Sequence, residues 1–273
     1  MGRASRRSLQ IADLMAEISG KKKMRLDVLL TEKGHAASRE RARALILAGR
    51  VMVNDQKVDK SGALVAEDAP IRMLGGDLPY VSRGGLKLAA ALDHWRLDVA
   101  GMNCLDVGAS TGGFTDCLLQ RGAAHVTAID TGFGQIAMKL RNDPRVRLFE
   151  RTNARLLDAG SVDDSGPFPT FLVMDVSFIS ATLLLRPVMA AATRLMNAVI
   201  LVKPQFEAGR EHVGKGGIVR DPNAHRLAIE RVEAAIRSLD WQVEGTIPSP
   251  ITGAEGNQEF LLYARKPDAL ARP

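Results

Sequence analysis

The sequence has little cysteine, few aromatic side chains and no long uninterrupted apolar segment. Cys104 and Cys117 are the two cysteines among its 273 residues, and their spacing fits neither a disulfide framework nor a metal site. No stretch offers the roughly 20 apolar residues of a membrane helix, and the first residues lack a secretory apolar core. Asp13 and Glu17 also disfavour an organellar transit peptide. These absences predict a protein of the reducing cytoplasm that neither binds a metal nor enters a membrane.

Positive charge is concentrated near the amino end of the chain. The formal net charge is +6, and residues 1–60 carry 14 Lys or Arg and 7 Asp or Glu, a net +7 that leaves −1 for the remainder. This asymmetry indicates an anion-binding module joined to a near-neutral body. Residues 1–23, which include three consecutive lysines, are predicted to be a disordered basic extension.

Residues 25–58 combine a helical pattern and a hairpin pattern with regularly spaced basic side chains. Ser38 is a favourable N-cap, and the helix after it places Ala42, Leu45 and Ile46 on one face before Gly49 ends it. The following stretch, VMVNDQKV, has the alternation and the Asn-Asp turn of a tight hairpin.

This order of elements resembles the S4-type RNA-binding domain, a small α+β fold of ribosomal proteins and RNA-modifying enzymes. The resemblance implies that four arginines bind RNA phosphates, contacts that supply affinity and salt dependence but little sequence choice: Arg39, Arg41, Arg43 and Arg50. The segment contains no Phe, Trp or Tyr, so we do not expect base stacking there.

The second half of the chain alternates short apolar strands with stretches long enough for crossover helices. We predict a parallel, doubly wound sheet with strands at residues 103–107, 125–130, 146–150, 171–175 and 198–203. The segments WQVEGTIPSP and EFLLYARK are predicted to form an antiparallel pair at one edge. The glycines and proline of residues 74–80, LGGDLPY, indicate a linker before this α/β domain.

A cluster of glycines, DVGASTGG, lies between the first of these strands and its helix. Asp106 ends the strand, Gly108, Gly112 and Gly113 form the turn, and the helix follows. Such a turn permits positive φ angles and close backbone approach to a bound cofactor. Asp130 ends the second strand about 20 residues on, where an acid can accept hydrogen bonds from ribose hydroxyls.

Dinucleotides and S-adenosylmethionine both bind at turns of this kind. The G-x-x-x-G-G spacing departs from the G-x-G-x-x-G of a dinucleotide fold. A carboxylate at Asp106 would repel a pyrophosphate, whereas it suits the ammonium group of S-adenosylmethionine. The sequence therefore favours the methyl donor.

Four charged residues at element ends are the candidate catalytic groups. Lys87 begins a helix before the first strand, Asp175 ends the fourth strand, Lys203 ends the fifth, and Glu259 opens the last. Because the carboxyl ends of parallel strands line one crevice, we expect Asp175 and Lys203 to face the cofactor.

These residues suit methyl transfer to an unactivated ribose hydroxyl, which must lose its proton during in-line displacement. A lysine amine can take that proton when burial or a second ammonium favours its uncharged form. We expect Lys203 to be the base, Lys87 to supply the second ammonium, and Asp175 and Glu259 to orient the two amines. Neither a metal nor a covalent intermediate is required.

The ordered set of Lys87, Asp175, Lys203 and Glu259 resembles the Lys-Asp-Lys-Glu tetrad of FtsJ-like ribose 2′-O-methyltransferases. With VSRGGLKL, DVSFIS, LVKPQFEAGR and GGIVRDP, the chain resembles the TlyA family, named haemolysins but known as ribosomal RNA 2′-O-methyltransferases acting on cytidine. The resemblance implies a cofactor site in which Gly108, Gly112 and Phe114 lie at the methionine end, Asp130 at the ribose and Asn153 near the adenine.

The predicted organisation is thus an S4-type domain at residues 24–73, a linker at 74–80, an FtsJ-like domain at 81–266 and a tail at 267–273. The function expected is S-adenosylmethionine-dependent methylation of ribosomal RNA, with ribosomal RNA or ribosomal subunits as partners. Two alternatives stay open: an RNA-binding assembly factor with a vestigial cofactor pocket, and a membrane-lytic haemolysin. The sequence does not indicate the oligomeric state.

Overall fold

The computed structural model describes residues 23–36, 38–74, 78–253 and 256–267 of the chain. The chain divides into two compact units, residues 1–77 and 78–273, and the division falls within the stretch predicted to be a linker. The basic extension predicted for residues 1–23, apart from its last residue, and all but the first residue of the predicted tail lie outside the described residues.

The first unit consists of two helices and two small antiparallel sheets. The helices are α1 (Leu26–Glu32) and α2 (Arg39–Leu47), and the strands are β1 (Lys23–Arg25), β2 (Val51–Val53), β3 (Gln56–Lys57), β4 (Leu64–Ala66) and β5 (Ile71–Met73). One sheet pairs β1 with β4, and the other has the order β3-β2-β5.

Local chemistry explains why α2 and the hairpin form where the sequence predicts them. The Ser38 side chain caps α2 by accepting a hydrogen bond from the Arg41 N–H at 3.1 Å. Asn54 and Asp55 both have positive φ angles, 50° and 59°, which is the backbone geometry of a two-residue hairpin turn. Ala42, Leu45 and Ile46 are buried in the core of this unit, as expected from their common face on the helix.

The second unit is an α/β domain built on a seven-stranded sheet. Its helices are α3 (Gly84–His94), α4 (Gly113–Gln120), α5 (Met138–Arg141), α6 (Thr182–Ala191), α7 (Pro204–Glu207) and α8 (Pro222–Arg237). Its strands are β6 (Asn103–Val107), β7 (His125–Ile129), β8 (Val146–Phe149), β9 (Phe171–Met174), β10 (Asn197–Val202), β11 (Gln242–Pro248) and β12 (Phe260–Arg265).

The strand order is β11-β12-β10-β9-β6-β7-β8, and β8, β7, β6, β9 and β10 pair in parallel, which confirms the doubly wound arrangement. The last two strands pair antiparallel to each other at one edge of the sheet, as predicted. Strand β11 is the edge strand, and β12 lies between β10 and β11 and pairs antiparallel with β10. This insertion brings the beginning of β12 beside the end of β10.

Apolar cores cover both faces of the sheet. Strand β9 shows the division: Phe171 and Val173 pack on the face covered by α3 and α4, whereas Leu172 and Met174 pack on the face covered by α6 and α8. All four side chains are buried, as expected of a central parallel strand covered by helices on both sides. None of the helices in the described part of the chain combines the length and apolar character that a membrane crossing requires.

Candidate active site

The four tetrad residues converge at one edge of the sheet. Asp175 and Lys203 directly follow β9 and β10, two neighbouring parallel strands, so both lie at the carboxyl edge. Glu259 directly precedes β12, whose first residue, Phe260, pairs with Val202 at the end of β10. The antiparallel insertion of β12 therefore brings Glu259 to the same edge.

The four side chains form two ion pairs. Lys203 Nζ lies 2.6 Å from Asp175 Oδ1 and donates a hydrogen bond to Ser177 Oγ at 2.7 Å. Lys87 Nζ, from α3, donates to Glu259 Oε2. Both lysines are only 8% exposed, so the carboxylates compensate charges that water cannot fully solvate. The carboxylate of Glu259 thus compensates the positive charge of the Lys87 ammonium.

These pairs line a cavity of about 450 Å³, which we call the lysine cavity. Its walls include all four tetrad residues together with the glycine turn and Phe114. Phe178, on the loop after Asp175, also lines it and is 90% exposed with a φ angle of 66°. The rim of the lysine cavity therefore presents the aromatic ring of Phe178 to solvent.

A second cavity of about 560 Å³, the Asp130 cavity, lies on the other side of the glycine turn. The two cavities share lining residues, among them Gly108, Asp175 and Phe178. Asp130 and Asn153 line the Asp130 cavity, as does the chain that follows β7. A ligand in one cavity would therefore lie next to a ligand in the other.

The Asp130 carboxylate is already held by backbone donors. Its Oδ2 accepts from Ser110 N–H at 2.8 Å and its Oδ1 from Gly132 N–H at 2.6 Å. A carboxylate can accept about four hydrogen bonds, so capacity remains for the hydroxyls of a ribose. Asn153 Oδ1 accepts from Arg155 N–H at 3.0 Å, which fixes its amide at the wall. These groups fit the nucleoside part of S-adenosylmethionine.

The glycines of the turn serve packing within the chain as well as any ligand. Gly108 and Gly112 have φ angles of 87° and 93°, which side-chain-bearing residues rarely adopt. A Cβ on Gly108 would lie 2.3 Å from the Asp175 carbonyl oxygen, and one on Gly113 would lie 2.2 Å from Ser82 Oγ. The close approaches that require glycine here are therefore made by the strand end after β9 and by the segment before α3.

The placement of Asp106 differs from the role expected of it. Its side chain is completely buried and is absent from the walls of both cavities. Its Oδ2 accepts from Thr115 Oγ1 at 2.6 Å, while Oδ1 has no hydrogen-bond partner. Burial raises the pKa of the Asp106 carboxyl to about 7. The carboxyl thus stands behind the glycine turn, and its contact with a ligand ammonium stays a prediction.

Two of the predicted phosphate-binding arginines in the first unit share one buried partner. Asp27, on α1, is fully buried and accepts from Arg39 at 3.2 Å, from Arg43 at 3.1 Å and from Arg25 at 3.0 Å. The hydrogen bond from Arg25 is the main cause that holds the pKa of Asp27 well below its usual range. The three guanidinium groups stay about half exposed.

The remaining two predicted phosphate contacts lie on the same unit. Arg50 donates to the Leu74 carbonyl at 2.9 Å, which ties the end of α2 to the strand end after β5. Arg41, on α2, is half-buried.

Sequence reasoning missed several residues that complete the site. Ser177 binds the Lys203 ammonium, Thr115 binds Asp106, and Ser82 fills the space above Gly113. Ser177 follows Asp175 by two positions in DVSFIS, so its proximity to the tetrad was a signal available in the sequence. The described residues hold no group of three or more His, Cys, Asp or Glu side chains suited to a metal ion.

Comparison with known proteins agrees with this architecture. Residues 80–266 match the model of the FtsJ-like methyltransferase family, and residues 24–71 match that of the S4 domain. The chain is 42% identical over 245 residues to the 16S/23S rRNA (cytidine-2′-O)-methyltransferase TlyA of Mycobacterium tuberculosis, which covers 89% of this chain and 90% of the relative.

Two further relatives carry a haemolysin name. Hemolysin A of Brachyspira hyodysenteriae is 40% identical over 240 residues, 88% of this chain and 99% of that protein. A solved structure described as a candidate hemolysin from Streptococcus thermophilus is 43% identical, covers 91% of this chain and 90% of that one, and superposes with a TM-score of 0.69.

Proposed function

Since this chain belongs to the FtsJ-like methyltransferases and, among them, to the TlyA family, we propose that it methylates the 2′-hydroxyl of a cytidine in ribosomal RNA with S-adenosylmethionine as donor. One observation carries the proposal: two lysine–carboxylate pairs line one cavity beside the glycine turn. We place the reaction in the cytoplasm, where ribosomal RNA is the partner.

In this proposal the Asp130 cavity holds the donor and the lysine cavity holds the acceptor ribose. Asp130 binds the donor ribose and Asn153 the adenine. The methionine part lies at Gly108, which lines both cavities, and reaches toward Phe114, which lines the lysine cavity; Gly112 lines neither cavity and shapes the turn behind them. When bound, the donor supplies a methyl group on a positively charged sulfur. The residues that both cavities share lie where the two reactants must meet.

The tetrad residues position the acceptor and move its proton. Lys203 Nζ accepts the proton of the 2′-hydroxyl, which requires that the amine is uncharged at that moment because an ammonium has no lone pair. Asp175 and Ser177 orient the amine at 2.6 Å and 2.7 Å. Glu259 accepts one hydrogen bond from Lys87, whose remaining N–H donors orient the acceptor oxygen.

The first unit supplies affinity for RNA. Arg39, Arg41, Arg43 and Arg50 bind phosphates, a contact that depends on salt and does not choose a sequence. At the lysine cavity, the exposed ring of Phe178 offers a face on which an unstacked base can lie.

The direct test compares ribosomal RNA from cells with and without this protein and maps ribose methylation in both subunits. We expect a 2′-O-methylcytidine in ribosomal RNA from cells that have the protein and not in RNA from cells that lack it. The same methylation should form when the purified protein, ribosomal subunits from cells that lack it and methyl-labelled S-adenosylmethionine are mixed. Absence of ribose methylation in both experiments would overturn the proposal, and leakage of anionic vesicles instead would support the haemolysin alternative.

A further inference from the structure

The loop at residues 175–181 joins β9 to α6 and carries two groups that contact Lys203. Asp175 and Ser177 lie at its beginning, and Ala181 at its end is the N-cap residue of α6. The position of Asp175 and Ser177 therefore depends on how this loop is held. At the end of the loop, Ser180 Oγ accepts a hydrogen bond from Thr182 N–H at 3.2 Å, but Ala181 has no side chain that could cap the helix.

A buried carboxylate from another segment supplies the missing cap. Glu207 Oε1 accepts a hydrogen bond from Ala181 N–H at 2.7 Å, and Oε2 accepts from Ser180 Oγ at 2.5 Å. The Glu207 residue is 4% exposed. A carboxylate at a helix N-terminus satisfies an otherwise unpaired N–H and interacts favourably with the helix dipole.

Glu207 reaches this position because of where it stands on α7. The helix has four residues, begins directly after Lys203 and ends at Glu207. Lys203 contacts the beginning of the loop, and Glu207 contacts its end. Helix α7 therefore connects the residues that hold the two ends of the loop. Glu207 is held in turn, because Arg231 on α8 donates to the Glu207 carbonyl at 2.6 Å.

We propose that Glu207 is a positioning residue, which keeps Asp175 and Ser177 in register with Lys203 by capping α6 from α7. It touches neither reactant, because it lines neither the lysine cavity nor the Asp130 cavity. Its effect on the rate rests on the proposed function, since it acts through the amine that takes the proton.

The burial of the Glu207 carboxylate restricts the position that it can occupy. Burial raises the pKa of the Glu207 carboxyl, and the bonds from Ser180 and Ala181 oppose that rise. The carboxylate is therefore tolerated in the interior only in the geometry that these two donors provide. A shift of the loop would break both bonds together.

The chain offers a matched control at the other end of α6. Asp163 Oδ2 accepts from Thr193 N–H at 2.9 Å and from Thr193 Oγ1 at 2.6 Å, just beyond the end of the helix. Asp163→Ala therefore removes the same two kinds of hydrogen bond next to the opposite end of this helix, without touching the loop. Ser180→Ala is a milder variant that removes only the hydroxyl donor to Glu207.

The experiment compares Glu207→Ala, Glu207→Gln, Ser180→Ala and Asp163→Ala in the full-length protein. Single-turnover methylation of ribosomal subunits at saturating donor gives the chemical step, calorimetry gives the donor Kd, and thermal unfolding defines a temperature at which all variants are folded. We expect Glu207→Ala to lower the rate by about 10-fold to 100-fold, the usual effect of misplacing a catalytic group by about 1 Å. The donor Kd should stay within about threefold of the wild type.

The graded variants separate positioning from loss of stability. Glu207→Gln should keep most of the wild-type rate, because its amide oxygen still accepts a hydrogen bond from Ala181 N–H. The rate of Ser180→Ala should lie between those of Glu207→Gln and Glu207→Ala. Asp163→Ala should lower the unfolding temperature while keeping the wild-type rate. If Glu207→Ala does not fold, the rates of Glu207→Gln and Ser180→Ala decide.

Two outcomes would overturn the inference: a folded Glu207→Ala protein with the wild-type rate, or an equal loss of rate in Asp163→Ala. Wild-type rates in both Glu207→Gln and Ser180→Ala would do the same where the alanine variant does not fold. An inactive wild-type protein would instead contradict the proposed function, so the two failures can be told apart.

Discussion

Replacing Lys203 by methionine separates its charge from its packing. Methionine retains most of the apolar stem of the buried side chain but can neither pair with Asp175 nor accept a proton. We expect the single-turnover rate to fall by about 10²-fold to 10⁴-fold, the usual share of a general base. This corresponds to about 3 to 5 kcal/mol in the activation free energy.

The structure also sets the expected loss of stability. Removing one partner of a fully buried ion pair costs about 3 to 5 kcal/mol, and an exposed pair contributes about 1 kcal/mol or less. The Lys203 side chain is 9% exposed and that of Asp175 is 21% exposed, so the pair lies between these limits. We therefore expect Lys203→Met to lower the free energy of unfolding by about 1 to 3 kcal/mol.

A second substitution isolates the cause of each effect. Adding Asp175→Asn to Lys203→Met removes the unpaired charge, so the free energy of unfolding should return to within about 1 kcal/mol of the wild type. The rate should not return, because the double variant still has no base. Since Lys203, unlike Asp175, lines only the lysine cavity, the donor Kd should be nearly unchanged in the Lys203→Met protein.

Three measurements test this reasoning: denaturant unfolding, calorimetry with S-adenosylmethionine, and single-turnover methylation. A Lys203→Met protein that methylates ribosomal RNA at the wild-type rate would refute the assignment of the base. Loss of donor binding would move Lys203 to the donor site.

Three other substitutions probe the remaining sites. Asp130→Ala should weaken donor binding in calorimetry by about 1 to 3 kcal/mol, and unchanged affinity would remove Asp130 from the ribose site. Arg39→Ala with Arg43→Ala should weaken binding to all RNA sequences and flatten the salt slope by about 0.7 to 0.9 per lost contact; wild-type affinity and slope would place RNA binding elsewhere. Asp106 keeps its proton to about pH 7 in the native state but only to about pH 4 when unfolded, so the free energy of unfolding should fall as pH rises between these values. Asp106→Asn should remove the contribution of Asp106 to that slope, and an unchanged slope would contradict the assignment.

The central strands and the catalytic edge could be predicted because each buried strand is a short apolar run that ends in a charged residue. Asp175 and Lys203 follow Met174 and Val202 directly, and parallel pairing brings both to one edge. The strands β4 and β5 were not predicted, because each has three residues and neither alternates clearly.

The pairing of the tetrad could not be predicted, because it depends on the insertion of β12. Lys87 and Glu259 are 172 positions apart in the sequence, and they meet because β12, rather than β11, pairs with β10. The segments WQVEGTIPSP and EFLLYARK predict an antiparallel pair at the edge, but they do not indicate which of the two strands lies next to β10. Long-range strand order is the information that local patterns do not contain.

The orientation of Asp106 shows a second limit of local patterns. Side chains alternate along β6, so Asp106 shares a face with Cys104, which packs in the core beneath α3 and α4. The position at the end of a strand indicated a ligand contact, whereas the face assigns the carboxyl to Thr115 on α4. The residue type and its spacing were informative, but the direction of its side chain depended on the helix that covers it.

The arginine cluster of the first unit reconciles a structural role with the proposed binding of RNA. One buried carboxylate, Asp27, holds three guanidinium groups, so the cluster keeps a net charge of about +2 after internal pairing. Because each side chain is about half exposed, its outer N–H donors face solvent and can bind phosphate without breaking the internal bonds. Fixing three flexible side chains in advance lowers the conformational entropy lost on binding. If the cluster binds RNA as proposed, Asp27 orders these arginines in advance rather than competing with the phosphates.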